Sequence, residues 1–207
     1  MRHFIKKMDE MYGFKTEILN MGGGFGVRYT ESDPYLDIEK AIASLSEHIK
    51  KTVAELGMTM PKVIMEPGRS IVADAGMTLY SVGTLKEITG YKNYVSIDGG
   101  MTDNPRYALY GSKYTVLLAN RMGEECNFKA DVAGRCCESG DLIQENTMIQ
   151  AVEKGDILAV LTTGAYNYSM ASNYNRIPKP PVVMVSGGES RVVVRRETYE
   201  DIIAKDM

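Results

Sequence analysis

The chain has 207 residues, 44% of them apolar and 25% charged, with a net charge of −3. That composition suits a soluble globular protein with a sizeable core, and the acidic balance argues against nucleic acid or an anionic membrane as main partner. No apolar run approaches a membrane span, the start MRHFIKKMDEMYGF has no apolar signal core, and Cys126, Cys136 and Cys137 fit neither a disulfide framework nor paired zinc ligands. A cytoplasmic setting with free thiols and no metal is therefore expected.

Residues His3 to Tyr12 read as a helix, with Phe4, Met8 and Met11 or Tyr12 on one side and Gly13 as its stop. A short apolar strand, Thr16 to Met21, runs into Gly22-Gly23-Gly24-Phe25-Gly26. Asp33-Pro34 marks the start of a long helix, Asp as N-cap and Pro in the first position. Its apolar stripe is Ile38, Ile42, Leu45, Ile49, Val53 and Leu56. Glu47 and Lys51 form an expected i, i+4 pair, and Gly57 is the C-terminal stop. A second strand, Lys62 to Met65, leads into Glu66-Pro67-Gly68-Arg69. Helix, strand, loop, repeated, is the rhythm of an α/β unit with parallel strands.

After about residue 75 the rhythm changes. Met77 to Ile88, Tyr94 to Ile97, Tyr114 to Leu118, Asn127 to Val132, Ile157 to Leu161, Val182 to Val185 and Arg191 to Arg195 are short β-rich runs between turn residues. They predict a mostly antiparallel sandwich or barrel. Short helices are expected over Ala165 to Asn173 and Glu197 to Ala204. The fold class is therefore α/β plus all-β, divided into residues 1–75 and 76–207.

Five segments carry residues suited to chemistry. In the glycine run at 22–26, backbone N–H groups can approach a phosphate without interference from Cβ, although a tight turn explains it equally. In Glu66-Pro67-Gly68-Arg69 the arginine offers a fork for an anion and the glutamate could hold a ring nitrogen protonated; a surface turn with a salt bridge is the plainer alternative. Asp98 to Tyr110 reads as a loop carrying Arg106 and Tyr110 four apart, fit to hold a carboxylate or simply solvated. In Gly134-Arg135-Cys136-Cys137-Glu138-Ser139-Gly140-Asp141 the neighbouring carboxylates suit a cysteine to giving a proton rather than attacking, unless it is a buried structural thiol. Finally, Gly164 to Asn175 crowds tyrosines and amides at an expected helix start, around Tyr166. His48 falls in the charge-rich helix and reads as a surface residue; His3 matches nothing around it.

In this order, GGGFG, EPGR, NPRxALY, CCESGD and GAY resemble the fold-type III decarboxylases that use pyridoxal phosphate (PLP). The resemblance runs from about Gly13 to Asn175. Within that family, Cys-Glu-Ser and Arg106 to Tyr110 are most similar to the branch that acts on meso-diaminopimelate to give lysine. The resemblance implies the last strand–helix units of a PLP-binding TIM-type barrel followed by a C-terminal antiparallel β domain. It implies cofactor contacts at Gly24, Glu66, Pro67, Gly68, Arg69 and Tyr166, Glu66 being the partner of the pyridine nitrogen. It implies substrate contacts at Arg69, Arg106, Tyr110, Glu138 and Tyr166, and a proton donor at Cys137. The implied assembly is a homodimer with shared active sites and a small amino acid as substrate.

The family's cofactor-linking lysine and stacking histidine lie upstream of the glycine loop. Lys6, Lys7 and Lys15 do not match that lysine's context, and His3 does not match the histidine. The chain by itself is therefore expected to be unable to complete the reaction. The alternatives are a decarboxylase for another diamino acid such as carboxynorspermidine, a related racemase, or a non-catalytic module that dimerises or binds a phosphate.

Overall fold

Alternation and capping place the elements, and the computed structural model describes residues 2–207. Two units are distinguished: one holds the residues up to Arg28 together with Ser32–Val72, the other holds Tyr29–Glu31 together with Ala73–Met207.

In the first unit, helix α1 (Arg2–Tyr12) ends where Gly13 adopts φ +65° and its N–H donates to the carbonyl of Asp9 at 2.8 Å. Strands β1 (Ile18–Asn20) and β2 (Lys62–Ile64) pair in parallel, Ile18 opposite Lys62 and Asn20 opposite Ile64. Between them lies α2 (Ile38–Glu55), and a single turn of helix, α3 (Arg69–Val72), follows β2. The start of α2 corrects the sequence reading. The N-cap is Asp37, not Asp33: its side chain accepts from the N–H of Lys40 at 3.1 Å. Both positions offer an aspartate, and the local capping hydrogen bond decides between them. The end is as expected. Gly57, at φ +62°, donates to Ala54 O, and Met58 donates to Val53 O, which together make a Schellman motif. Of the apolar stripe only Ile49 is fully buried. Lys51 lies 4.0 Å from Glu55, so it pairs with the following turn instead of with Glu47.

The second unit is built on a six-stranded sheet of β3 (Met77–Glu87), β4 (Asn93–Ile97), β5 (Val116–Leu118), β6 (Phe128–Ala133), β7 (Leu142–Ile149) and β8 (Ile157–Leu161), in the order β5-β8-β3-β4-β6-β7. Every neighbouring pair is antiparallel except β4 and β6, which run parallel. Val95, Leu118, Val132, Ile143, Leu158 and Val160 form its core at complete burial.

The first and last strands are joined by side chains. Gln144 Oε1 accepts from the N–H of Tyr114 at 3.0 Å, and Gln150 Oε1 accepts from the N–H of Leu118 at 2.9 Å. Both glutamines are buried, so they satisfy backbone donors that would otherwise lack partners, and the sheet is nearly closed. Strand β7 escaped the sequence reading because Gln144, Glu145 and Asn146 interrupt its apolar pattern, and Asn146 takes φ +51° at an irregularity of the pairing.

Two helical readings also need correction. Residues 106–110, expected in a loop, form helix α4 (Arg106–Tyr110), started by Pro105 in helical conformation and stopped by Gly111 at φ +60°. The helix expected over Ala165 to Asn173 is only α5 (Asn167–Met170), because Ala171 is extended at ψ 144°. A 3-10 turn at 174–176 follows. A separate hairpin, β9 (Val182–Ser186) with β10 (Glu189–Val194), precedes α6 (Tyr199–Ile203), which begins with a Thr198–Asp201 capping box. No described helix is long and apolar enough to cross a membrane.

Candidate functional site

The candidate residues fall into two groups, one in each unit. In the first unit the glycine run follows β1 and Glu66 follows β2, and hydrogen bonds lock the two loops together. Asn20 Oδ1 accepts from Gly22 N at 2.8 Å, Asn20 Nδ2 donates to Glu66 Oε1 at 2.6 Å, and Glu66 N donates to Gly22 O at 2.9 Å. A Cβ on Gly23 would stand 2.8 Å from the carbonyl oxygen of Glu66, so only glycine permits this approach. Gly24 takes φ +94°, which a side chain would strain. Gly68 N donates back to Glu66 O at 2.9 Å, turning the chain at Pro67 into α3, where Arg69 is half-buried. Gly24, Glu66, Pro67 and Gly68 are thus brought onto adjoining loops, with Arg69 at the start of α3. Asn20, which fixes the Glu66 carboxylate, belongs to this candidate site and was missed by the sequence reading; the cue was an amide at the end of the preceding strand.

In the second unit Arg106 is buried. Its guanidinium carbon lies 5.3 Å from the Tyr110 ring and 5.4 Å from the Tyr166 ring, held between two π faces. Its Nε has no hydrogen-bond partner, and the Tyr114 hydroxyl and Asn167 amide lie beside it. No carboxylate among the described residues pairs with it. A buried guanidinium without a counter-ion is costly, and its planar fork suits an anion. Helix α4 is moored from its other side. The Tyr107 hydroxyl donates to Glu145 Oε2, and Lys92 Nζ bridges Glu145 at 3.0 Å and Asp131 at 2.7 Å. Tyr166 takes φ +71° just before α5, an unusual conformation for a bulky residue.

Cys137 and Glu138 are exposed on the loop between β6 and β7. Neither makes a hydrogen bond or ion pair with Arg106, Tyr110 or Tyr166 among the described residues. A shared anchor, Asp141, links their loop to the Asp98 to Arg106 segment. The Asp141 carboxylate accepts from Met101 N at 2.6 Å and from Cys136 N at 2.7 Å. A Cβ on Gly100 or on Gly134 would come within 2.4 or 2.2 Å of the carboxylate oxygens, so both glycines are there to admit it. Burial, then the charge of Asp141, pushes the Cys136 thiol up to about 11. Sequence reading placed Asp141 in a motif without giving it this task.

Asp141→Asn presents an NH2 group to one of two backbone donors, and loss of that bond in a buried place is expected to destabilise the fold by about 2–3 kcal/mol, measured by denaturant unfolding. Asp103 is a second buried carboxylate. Burial raises the Asp103 carboxyl to about 6, against the N–H of Gly100 and the charge of Arg135, which lower it. The folded state therefore holds a proton that the unfolded state has already lost. Asp103 contributes most below the unfolded value near 4, and that contribution disappears as pH rises through about 6. Asp103→Asn is expected to gain about 2–3 kcal/mol on the wild type between pH 4 and pH 7. Unfolding curves at the two pH values check this, and parallel curves would contradict it.

The sequence profile described as "Pyridoxal-dependent decarboxylase, C-terminal sheet domain" matches residues 16–164. The chain belongs to this family. A diaminopimelate decarboxylase of Bacillus subtilis is 50% identical over 98% of the chain, and one of Staphylococcus aureus 48% identical over 94%. Among solved structures, the diaminopimelate decarboxylase of M. jannaschii in co-complex with L-lysine superposes with a TM-score of 0.85 at 35% identity, covering 99% of the chain. That of Helicobacter pylori, also complexed with L-lysine, gives 0.80 at 30% identity over 98%. The chain spans about half the length of these relatives: 47% of the Bacillus protein, 46% of the Staphylococcus and M. jannaschii proteins and 48% of the Helicobacter protein. As a pyridoxal-dependent decarboxylase sequence, it has the fold class read from its pattern: strand–helix units with parallel strands, then a β domain.

Proposed function

We propose that the chain carries the cofactor-binding and substrate-binding parts of a diaminopimelate decarboxylase, which converts meso-2,6-diaminopimelate to L-lysine and carbon dioxide. The observation that carries this reading is Arg106, a buried guanidinium between two tyrosine rings with no internal carboxylate, within a sequence half identical to named diaminopimelate decarboxylases.

The residues of the first unit fit pyridoxal phosphate. The Gly23–Glu66 approach leaves a cradle without side chains, and Glu66 is an exposed carboxylate fixed by Asn20. In this reading Gly24, Pro67, Gly68 and Arg69 hold the phosphate end, Glu66 accepts a hydrogen bond from the ring nitrogen, and Tyr166 contacts cofactor and substrate. Bound pyridoxal phosphate supplies the electron sink that lets a carboxylate leave as carbon dioxide. Arg106, Tyr110 and Arg69 orient the substrate carboxylates. Glu138 pairs with the distal ammonium, which sets a diamino diacid apart from a simple amino acid. The Cys137 thiol gives a proton to the carbon that has lost its carboxylate. Residues 1–75 would supply the cofactor loops and 76–207 the substrate side, in a homodimer whose sites are shared. Exposed thiols at Cys126 and Cys137 support a cytoplasmic setting.

The test is the protein as its gene encodes it, purified with pyridoxal phosphate and offered meso-diaminopimelate, ornithine, arginine and carboxynorspermidine. Carbon dioxide and lysine from the first alone are expected. Preferential release from any of the others, or none from diaminopimelate, would overturn the proposal.

A further inference from the structure

The backbone of Cys137 is gripped from elsewhere in the chain. Its N–H donates to Asn175 Oδ1 at 3.1 Å, while the preceding N–H, that of Cys136, donates to Asp141. Two successive amides held by acceptors from two different segments fix the peptide planes on either side of Cys136, and with the second of them the direction from which the Cys137 side chain leaves.

The segment that supplies Asn175 is strained. Asn175 and Arg176 are consecutive non-glycine residues in the left-handed region, at φ +53° and +56°. Asparagine tolerates that conformation singly but arginine resists it, so two such residues in succession persist only where the surroundings enforce them, and such strain gathers at functional positions. Here the enforcement is visible. Arg176 pairs with Asp206 at 2.7 Å and its N–H donates to Asn173 O at 2.8 Å. Asn173 Nδ2 donates to Ile177 O at 3.0 Å and to Glu197 Oε2 at 2.6 Å, and that oxygen also accepts from Lys179 N at 2.9 Å.

The plain alternative is a turn that merely ties the end of the chain to the sheet. That tie already exists, since Ser172 N donates to Thr102 O at 2.9 Å and Asn173 is bound to Glu197. Neither bond needs a left-handed pair, and the side chain that the kink delivers ends on the amide of Cys137.

We propose that Asn175 is a positioning residue for Cys137: the braced left-handed turn exists to hold the donor's backbone in place. The inference rests on Cys137 being the proton donor. Proton transfer demands hydrogen-bond reach, and misplacement by an ångström costs orders of magnitude in rate.

Asn175→Gly frees the left-handed backbone from strain and deletes only the acceptor; Asn175→Asp keeps an acceptor. In the protein as its gene encodes it, with pyridoxal phosphate bound, Asn175→Gly is expected to lower kcat roughly ten-fold with KM within about two-fold, and Asn175→Asp to restore most of it. In a Cys137→Ala background the same Asn175→Gly change should alter kcat by less than about two-fold, because a residue acting through another has nothing left to act on. Independently of activity, the Cys137 amide should exchange with solvent roughly ten-fold faster in Asn175→Gly than in Asn175→Asp, followed by NMR. Equal losses in both backgrounds, or an unchanged kcat in Asn175→Gly beside a crippled Cys137→Ala, would defeat this inference alone. Full turnover in Cys137→Ala would defeat the donor assignment, and this inference with it.

Discussion

Arg106→Leu is expected to raise the KM for diaminopimelate by a few hundred-fold while leaving the protein at least as stable as the wild type. The first half follows from burial. Arg106 is 8% exposed, and its guanidinium sits between the Tyr110 and Tyr166 rings. A substrate carboxylate arriving there would complete a buried, charge-assisted pair, and truncating one member of such a pair costs about 2–5 kcal/mol, or roughly 30-fold to several thousand-fold in affinity. The second half follows from the same burial with the opposite sign. In the absence of substrate the charge is desolvated without a counter-ion, and an apolar side chain of similar reach removes that penalty. Arg106→Lys should recover little, since an ammonium has neither the planar fork nor the stacking surface. Steady-state kinetics together with a thermal unfolding midpoint decide the matter. An unchanged KM would remove Arg106 from substrate binding, and a large loss of stability would make its role structural.

Cys137→Ala is expected to lower kcat by about 10²–10⁴, the range contributed by a positioned general acid, with KM little changed and cofactor still bound. Cys136→Ala should stay within about three-fold of wild type. The two thiols are adjacent but differently placed. Cys136 is partly buried, which together with the neighbouring Asp141 charge pushes its thiol up to about 11, and its backbone is committed to the Asp141 anchor. Cys137 is exposed and can meet a substrate. Reversed effects in the two variants would transfer the donor role to Cys136.

Much of this was legible from sequence, and the failures have physical reasons. The Gly57 stop could be read because a left-handed C-cap leaves a glycine signature. The start of α2 could not, because Asp33 and Asp37 both present a capping oxygen and only the three-dimensional bond to Lys40 chooses. Strand β7 hid behind Gln144 and Glu145, polar residues bound to Tyr114, Lys92 and Tyr107 across the sheet. Periodicity assumes that polar means solvated, whereas Gln144 is buried and Glu145 is tied up in hydrogen bonds. In the site, motif order pointed to Arg106 and Tyr110, but the ring of Tyr166 closing over the same guanidinium is a long-range contact with no local trace. Asp141 stood inside a quoted motif, yet its task became visible only when the space left by Gly100 and Gly134 was seen to be filled by its carboxylate.

The two glutamines that join β5 to β7 bear on how the protein behaves in a crowded cell. A row of backbone groups left open along a strand is a template onto which another chain can add. Gln144 and Gln150 cap that row from within, at the cost of two amides instead of a further strand. Replacement of both by leucine would leave the donors of Tyr114 and Leu118 bare, and the expected consequence is self-association, seen as concentration-dependent light scattering before any loss of secondary structure.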